Sequence, residues 1–134
     1  MKILVVDDDP DTRRLLSDLL KGAGHSVTLA VDGAQGLIHV RIRNYDLVLI
    51  DLMMPGIDGF HLAQMLSTSW KTFDVPFVIV SCLSDEQSKS WARLNGCAGY
   101  VEKPFQPWKY LDKSSEILYP HNFASVDFSH FSFD

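Results

Sequence analysis

The sequence predicts an α/β fold, a parallel sheet of five strands with helices packed on both faces. Short apolar runs alternate with stretches of helical spacing along the first 118 residues, the pattern of repeated strand–helix units. DLVLID at 46–51 is apolar almost throughout, as a strand covered on both faces requires. Right-handed crossovers between parallel strands then distribute the helices over both faces.

The elements follow in order. ILVV at 3–6 is the first strand and runs into three acids, Asp7, Asp8 and Asp9. Asp9 caps a helix with Pro10 at its first position, and Leu15, Leu16, Leu19 and Leu20 form its apolar stripe. KGAG at 21–24 ends it. VTLAV is the second strand, Asp32 and Gly33 turn the chain, and Ala34, Leu37, Ile38 and Ile42 recur at helical spacing in a second helix. After the central strand, MPGIDG is rich in turn formers, and Asp58 caps a third helix whose stripe is Phe60, Ala63, Leu66 and Trp70. VPFVIVS at 75–81 is the fourth strand, opened by Pro76. Residues 85–95 form a polar fourth helix with only Trp91, Ala92 and Leu94 to bury; GYVEKPF at 99–105 holds a short fifth strand and 107–118 a fifth helix.

Size and charge narrow the function. A chain of 134 residues fits one domain, and its 46% hydrophobic and 22% charged residues are ordinary for a globular protein. No apolar run is long enough to cross a bilayer and no signal peptide is visible, so the cytoplasm is the expected compartment. A net charge of −5 argues against direct binding to nucleic acid. Cys82 and Cys97 lack metal-site spacing and are expected to be buried free thiols.

The acids after the first strand need an explanation. Unit charges about 4 Å apart repel by about 4 kcal/mol at an effective dielectric near 20, so Asp7 and Asp8 require positive company. In open parallel sheets, functional groups gather outside the carboxyl ends of the strands. That rule brings together Asp7 and Asp8 from the first strand, Asp51 from the third, Ser81 from the fourth and Lys103 from the fifth. Three carboxylates, a hydroxyl and an ammonium suit a hard cation and a phosphoryl group: Mg2+ takes carboxylate and phosphate oxygens, and a carboxylate such as Asp51 can accept a phosphoryl group as an acyl phosphate.

MKILVVDDDP, DLVLIDLMMPGIDGF, VPFVIVS and GYVEKPF, in that order and at these spacings, resemble the receiver domain of bacterial two-component response regulators over residues 2–118. The resemblance implies the flavodoxin-like strand order 2-1-3-4-5. It makes Asp51 the phosphoacceptor, Asp8 a direct Mg2+ ligand, Asp7 a ligand through water, and Met53 a ligand through its backbone carbonyl. The backbone at Met53 and Cys82 would face the phosphoryl group, Lys103 would neutralise it, and Tyr100 would be the switch aromatic that turns inward when Ser81 is drawn to the phosphoryl oxygens. A cis bond between Lys103 and Pro104 is also implied. The partners implied are a sensor histidine kinase or phosphotransfer protein and a downstream protein target. Family dimers often use the face of the fourth and fifth helices. Met53 and Leu83 flank the approach of hydrolytic water without being able to orient it, which predicts slow self-dephosphorylation.

Other readings of the same residues are plainer. Asp7 and Asp8 could form a solvated turn, Lys103 could be a surface residue and Tyr100 an ordinary strand aromatic. The five histidines share no spacing, and Trp70, Trp91 and Trp108 read as packing residues. A flavin-binding protein of this architecture would not present DDDP to a phosphate. An aspartyl phosphatase would carry a second acid where Met53 stands. A docking module that makes no use of phosphorylation remains as the alternative. Residues 119–134 form an aromatic tail, not a domain of its own: four of the eight phenylalanines lie within 123–134, and the tail is a candidate to cover the fifth helix, to join two subunits or to be the remnant of a longer chain.

Overall fold

The computed structural model describes residues 1–83 and 85–103. Nine elements alternate: β1 (Lys2–Val6), α1 (Pro10–Gly22), β2 (Ser26–Ala30), α2 (Gly33–Ile42), β3 (Leu47–Ile50), α3 (Gly59–Thr68), β4 (Phe77–Ser81), α4 (Glu86–Leu94) and β5 (Gly99–Glu102). The five strands are all parallel and lie in the order β2-β1-β3-β4-β5, as expected. The fifth helix, the Lys103–Pro104 bond, Trp108 and the tail lie outside the described residues.

Strand side chains alternate between two cores. Leu4, Val6, Val48, Ile50 and Ile79 face one side, where Val40 of α2, Leu62 and Leu66 of α3 and Ala92 of α4 cover them. Ile3, Val5, Leu47, Leu49 and Val80 face the other, against Leu16 and Leu20 of α1. Leu16 and Leu20 are 1% exposed or less, and burying each contributes about 2 kcal/mol, with the half-buried Leu15 and Leu19 beside them. That is ample to hold a helix whose opposite face is polar.

An aspartate opens every described helix. Asp9, Asp32, Asp58 and Asp85 accept hydrogen bonds from Asp11, Gln35, His61 and Ser88 backbone N–H groups, each cap contributing on the order of 1 kcal/mol. Asp9 and Asp58 therefore act as their sequence positions imply. The caps of α1, α2 and α4 lie within four residues of the preceding strand, which keeps those loops short along one edge of the sheet, while Asp58 follows the longer loop after β3.

Four expectations about packing fail. In α2, Ile38 and Ile42 are 57% and 67% exposed, and Gly33, Gly36 and Val40 are buried instead. A Cβ on Gly36 would lie 2.9 Å from Val6 Cγ2, so the helix sits on the sheet through its glycine face and turns the isoleucines outward. Trp70 falls beyond the end of α3 and is 87% exposed. The chain turns there so that Thr72 Oγ1 can donate to the Leu66 carbonyl at 2.7 Å, and Thr72 is buried in its place. Leu94, at 86% exposed, lies at the end of α4 on the side opposite Ser88 and Ala92, which that helix buries. Cys82 is exposed, in the loop that leaves β4; Cys97 is partly buried. Trp91 does pack, edge-on against Phe60 with ring centroids 4.7 Å apart.

Candidate functional site: an acidic cluster at the strand tips

Asp7 continues β1 and is 1% exposed. Its backbone N–H donates to the Ala30 carbonyl at 3.1 Å, its Oδ1 accepts from Asp9 N–H at 2.9 Å, and the Arg13 guanidinium donates to its carbonyl at 2.8 Å. Asp8, next in the chain, is exposed. Asp51 follows β3; its N–H donates to the Val6 carbonyl at 3.0 Å, so β1 fixes the position of the residue that leaves β3. Met53 N–H donates to Asp51 Oδ1 at 3.2 Å.

Lys103 closes the group. Its backbone N–H donates to the Ser81 carbonyl at 2.8 Å, carrying the β4–β5 pairing one residue past the strand. Its Nζ then lies 2.8 Å from Asp7 Oδ2 and 3.4 Å from Asp51 Oδ2. Carboxylate oxygens of Asp7, Asp8 and Asp51 all lie within 4.8 Å of one another. Burial pushes the Asp51 carboxyl up to about 6, with Lys103 opposing and the Asp7 charge adding to the rise. Burial alone would lower the lysine, yet the two carboxylates win and hold its ammonium above the ordinary value.

Ser81 is fully buried, and its Oγ accepts from Leu83 N–H at 3.2 Å. Tyr100, on β5, donates its hydroxyl to the Leu83 carbonyl at 2.6 Å; burial first of all pushes its phenol up to about 12, with Ser81 opposing the rise. Serine and tyrosine thus hold the same short loop from two sides. Cys82 and Met53 stand at the opening of the site, their sulfurs 3.7 Å apart.

The donor set fits Mg2+. All candidate ligands are hard oxygens, and three carboxylates with one ammonium leave two negative charges for a divalent ion to neutralise. Asp7, Asp8 and Asp51 are the side chains that would hold it.

A profile of the response regulator receiver domain matches residues 3–114. The chain belongs to this family. The receiver domain is 35% identical over 117 residues to protein PilH of Pseudomonas aeruginosa, covering 87% of this chain and 97% of that protein. It is equally similar to the DNA-binding dual master transcriptional regulator RpaA of Synechocystis sp., 35% over 117 residues, but there 87% of this chain corresponds to 48% of the relative. The chain thus spans nearly all of one curated relative and about half of several others. The chemotaxis protein CheY4 of Vibrio cholerae superposes with a TM-score of 0.75 at 27% identity, over 80% of this chain and 89% of that one.

Two contributors escaped the sequence reading. Gly59, the first residue of α3, packs so tightly against the loop that a Cβ would lie 2.0 Å from the Asp51 carbonyl oxygen and 2.6 Å from Leu52 Cα. Its N–H donates to the Leu52 carbonyl at 3.1 Å, tying the far end of the MPGIDG loop back to the segment that leaves β3. Arg13, one turn into α1, anchors Asp7 through its backbone. Turn composition hinted at the glycine; the arginine left no signal beyond its helical position.

Proposed function

We propose that this receiver domain is a phosphorylation-dependent signalling switch, with Asp51 as acceptor of a phosphoryl group from a histidine kinase or phosphotransfer protein. The observation that carries the proposal is the placement of Asp51 within 4.8 Å of the Asp7 and Asp8 carboxylates and 3.4 Å from the Lys103 ammonium. Bound Mg2+ would supply charge neutralisation for the phosphoryl oxygens.

An oxygen of the Asp51 carboxylate attacks phosphorus, the phosphorus–nitrogen bond of the donor phosphohistidine breaks, and the imidazole leaves with its electron pair. Lys103 offsets the negative charge that then accumulates on Asp51. The exposed opening beside Met53 and Cys82 offers their backbone N–H groups to the phosphoryl oxygens. Drawing the Ser81 hydroxyl toward the phosphoryl group removes the acceptor that Leu83 N–H now uses, which frees the Tyr100 contact on the same loop. The conformational signal therefore starts at Ser81–Leu83 and passes to α4 and β5, whose surfaces would meet the downstream protein target.

Residues 1–118 are assigned to the receiver unit and 119–134 to a tail; a cytoplasmic location and a homodimer formed through the face of the fourth and fifth helices or through the tail belong to the same proposal. The decisive experiment is incubation with Mg2+ and a small acyl phosphate, followed by intact mass. Wild type is expected to gain one phosphoryl group and Asp51→Asn none. No gain in the wild type, with histidine-kinase donors failing as well, would favour the docking module that does not use phosphorylation.

A further inference from the structure

Three of the residues that broke the packing expectations, Ile38, Ile42 and Trp70, belong to α2 and the segment that follows α3. Of the ten large apolar side chains exposed among the described residues, five belong to α2, α3 and the segment after α3: Ile38, Ile42, Met65, Trp70 and Phe73. Trp70 and Phe73 are 87% and 66% exposed, unusual for aromatics with no role. Between α2 and α3 lies a groove of about 220 Å3 floored by Leu37, Val40 and Leu66 and walled by Met65. Arg41 and Lys71 stand over it, the Lys71 ammonium donating to the Arg41 carbonyl. A smaller cavity shares Lys71 and continues to Arg43, and a cleft of about 380 Å3 continues from Arg43 to Lys2. No carboxylate lines any of the three, although the chain as a whole carries −5. The groove is apolar and cationic, and Trp70 lies in the chain between two of its lining residues, Ser69 and Lys71.

The sequence contains its complement. Residues 119–134, YPHNFASVDFSHFSFD, carry Phe123, Phe128, Phe131 and Phe133, two acids, Asp127 and Asp134, and no lysine or arginine. We infer that this segment docks in the groove between α2 and α3 of its own chain, its phenylalanines against Leu37, Met65 and Trp70 and its aspartates toward Arg41 and Lys71. The connection is long enough: the twenty residues from Lys103 to Phe123 can span up to about 66 Å of extended chain, more than the diameter of a domain of this size. Aromatic burial supplies affinity and the opposite charges set direction along the groove. A segment so placed would cover a surface far in sequence from α4 and β5 and would act independently of Asp51.

The test is hydroxyl-radical footprinting of the full chain read by mass spectrometry. Replacing Phe123, Phe128, Phe131 and Phe133 together by serine is expected to raise oxidation of Met65, Trp70 and Phe73 several-fold, with Leu94 unchanged as the control. Arg41→Glu with Lys71→Glu should raise it likewise while leaving the circular dichroism spectrum intact. A synthetic peptide of residues 119–134 should restore protection to the serine variant, which shows that this variant still folds and that the groove itself is intact. Equal labelling of wild type and serine variant would overturn the inference, as would protection that grows with protein concentration, since the groove would then be filled by a second copy.

Discussion

The Lys103 ammonium is closer to Asp7 than to Asp51, the proposed phosphoacceptor, 2.8 Å against 3.4 Å, and Asp7 is the more deeply buried of the two carboxylates. The lysine is therefore a structural counter-ion for Asp7 as well as a neutralising group for Asp51. Removing one partner of such a pair strands a buried charge.

Lys103→Met is accordingly expected to destabilise the metal-free domain by about 3 kcal/mol, the range for a broken buried pair. The same substitution frees Asp7 Oδ2 and leaves three carboxylates unopposed, so Mg2+ should bind several-fold more tightly and recover most of the stability. Denaturant unfolding with and without Mg2+ checks both statements. Equal losses in the two conditions would mean that lysine and metal do not share these oxygens.

Asp51 makes the opposite contribution. Its carboxyl titrates near 6 when folded and near 3.8 otherwise, so between those values the folded state holds a proton that the unfolded chain has released. The stabilising contribution is complete below pH 3.8 and disappears as pH rises through 6. Asp51→Asn abolishes that loss and should stabilise the metal-free domain at pH 7 by on the order of 1–2 kcal/mol, after allowing for solvent screening at the mouth of the site. Because Mg2+ requires the carboxylate, its affinity for the wild type should fall between pH 7 and pH 5. Thermal unfolding and metal titration at those two values measure it.

Most of the site was legible because parallel sheets collect their functional groups at one edge: Asp7, Asp8, Asp51, Ser81 and Lys103 could be placed from the strand ends alone. Strand burial and the caps at Asp9 and Asp58 followed from equally local signals. What failed was side-chain direction on helices. Ile38 and Ile42 match a helical stripe, but the stripe that faces the sheet is set by how closely Gly36 can approach Val6, which no periodicity reports. Trp70 has the right spacing for α3 and the wrong position, because Thr72 bonds the Leu66 carbonyl and ends the helix early. Cys82 was misplaced since exposure in a loop depends on neighbours that are distant in sequence. Gly59 was invisible as a site residue for the same reason: its contact is with Asp51 and Leu52, across the loop.

Gly59 provides a steric test. A Cβ there would meet the Asp51 carbonyl oxygen at 2.0 Å, a contact with backbone that no rotamer relieves. Gly59→Ala should cost about 3 kcal/mol, the upper end for overpacking, and should lower acceptor reactivity by displacing Asp51. Gly22→Ala is the matched control: nothing lies within 4 Å of its added Cβ and it sits in the last turn of α1, so the change should be neutral or stabilise by up to about 1 kcal/mol. Similar losses for both would show that helix propensity, not the Asp51 contact, sets the requirement.

The lifetime of the phosphorylated state should depend on Met53 and Leu83. Met53 is 53% exposed at the opening of the site and holds Asp51 Oδ1 through its N–H; Leu83 is partly buried and packs against the core beneath α3 and α4. Neither side chain can accept or donate a hydrogen bond that would align a water with phosphorus, and in a reaction governed by positioning that absence slows hydrolysis. Replacing Met53 by Asn and Leu83 by Glu supplies an amide and a carboxylate on either side of the approach. The double variant should lose its phosphoryl group about tenfold faster, equivalent to about 1.4 kcal/mol in the barrier, when decay is followed by intact mass after removal of the donor. Decay at the same rate in both proteins would place the control of hydrolysis elsewhere, with Lys103 the first residue to substitute next.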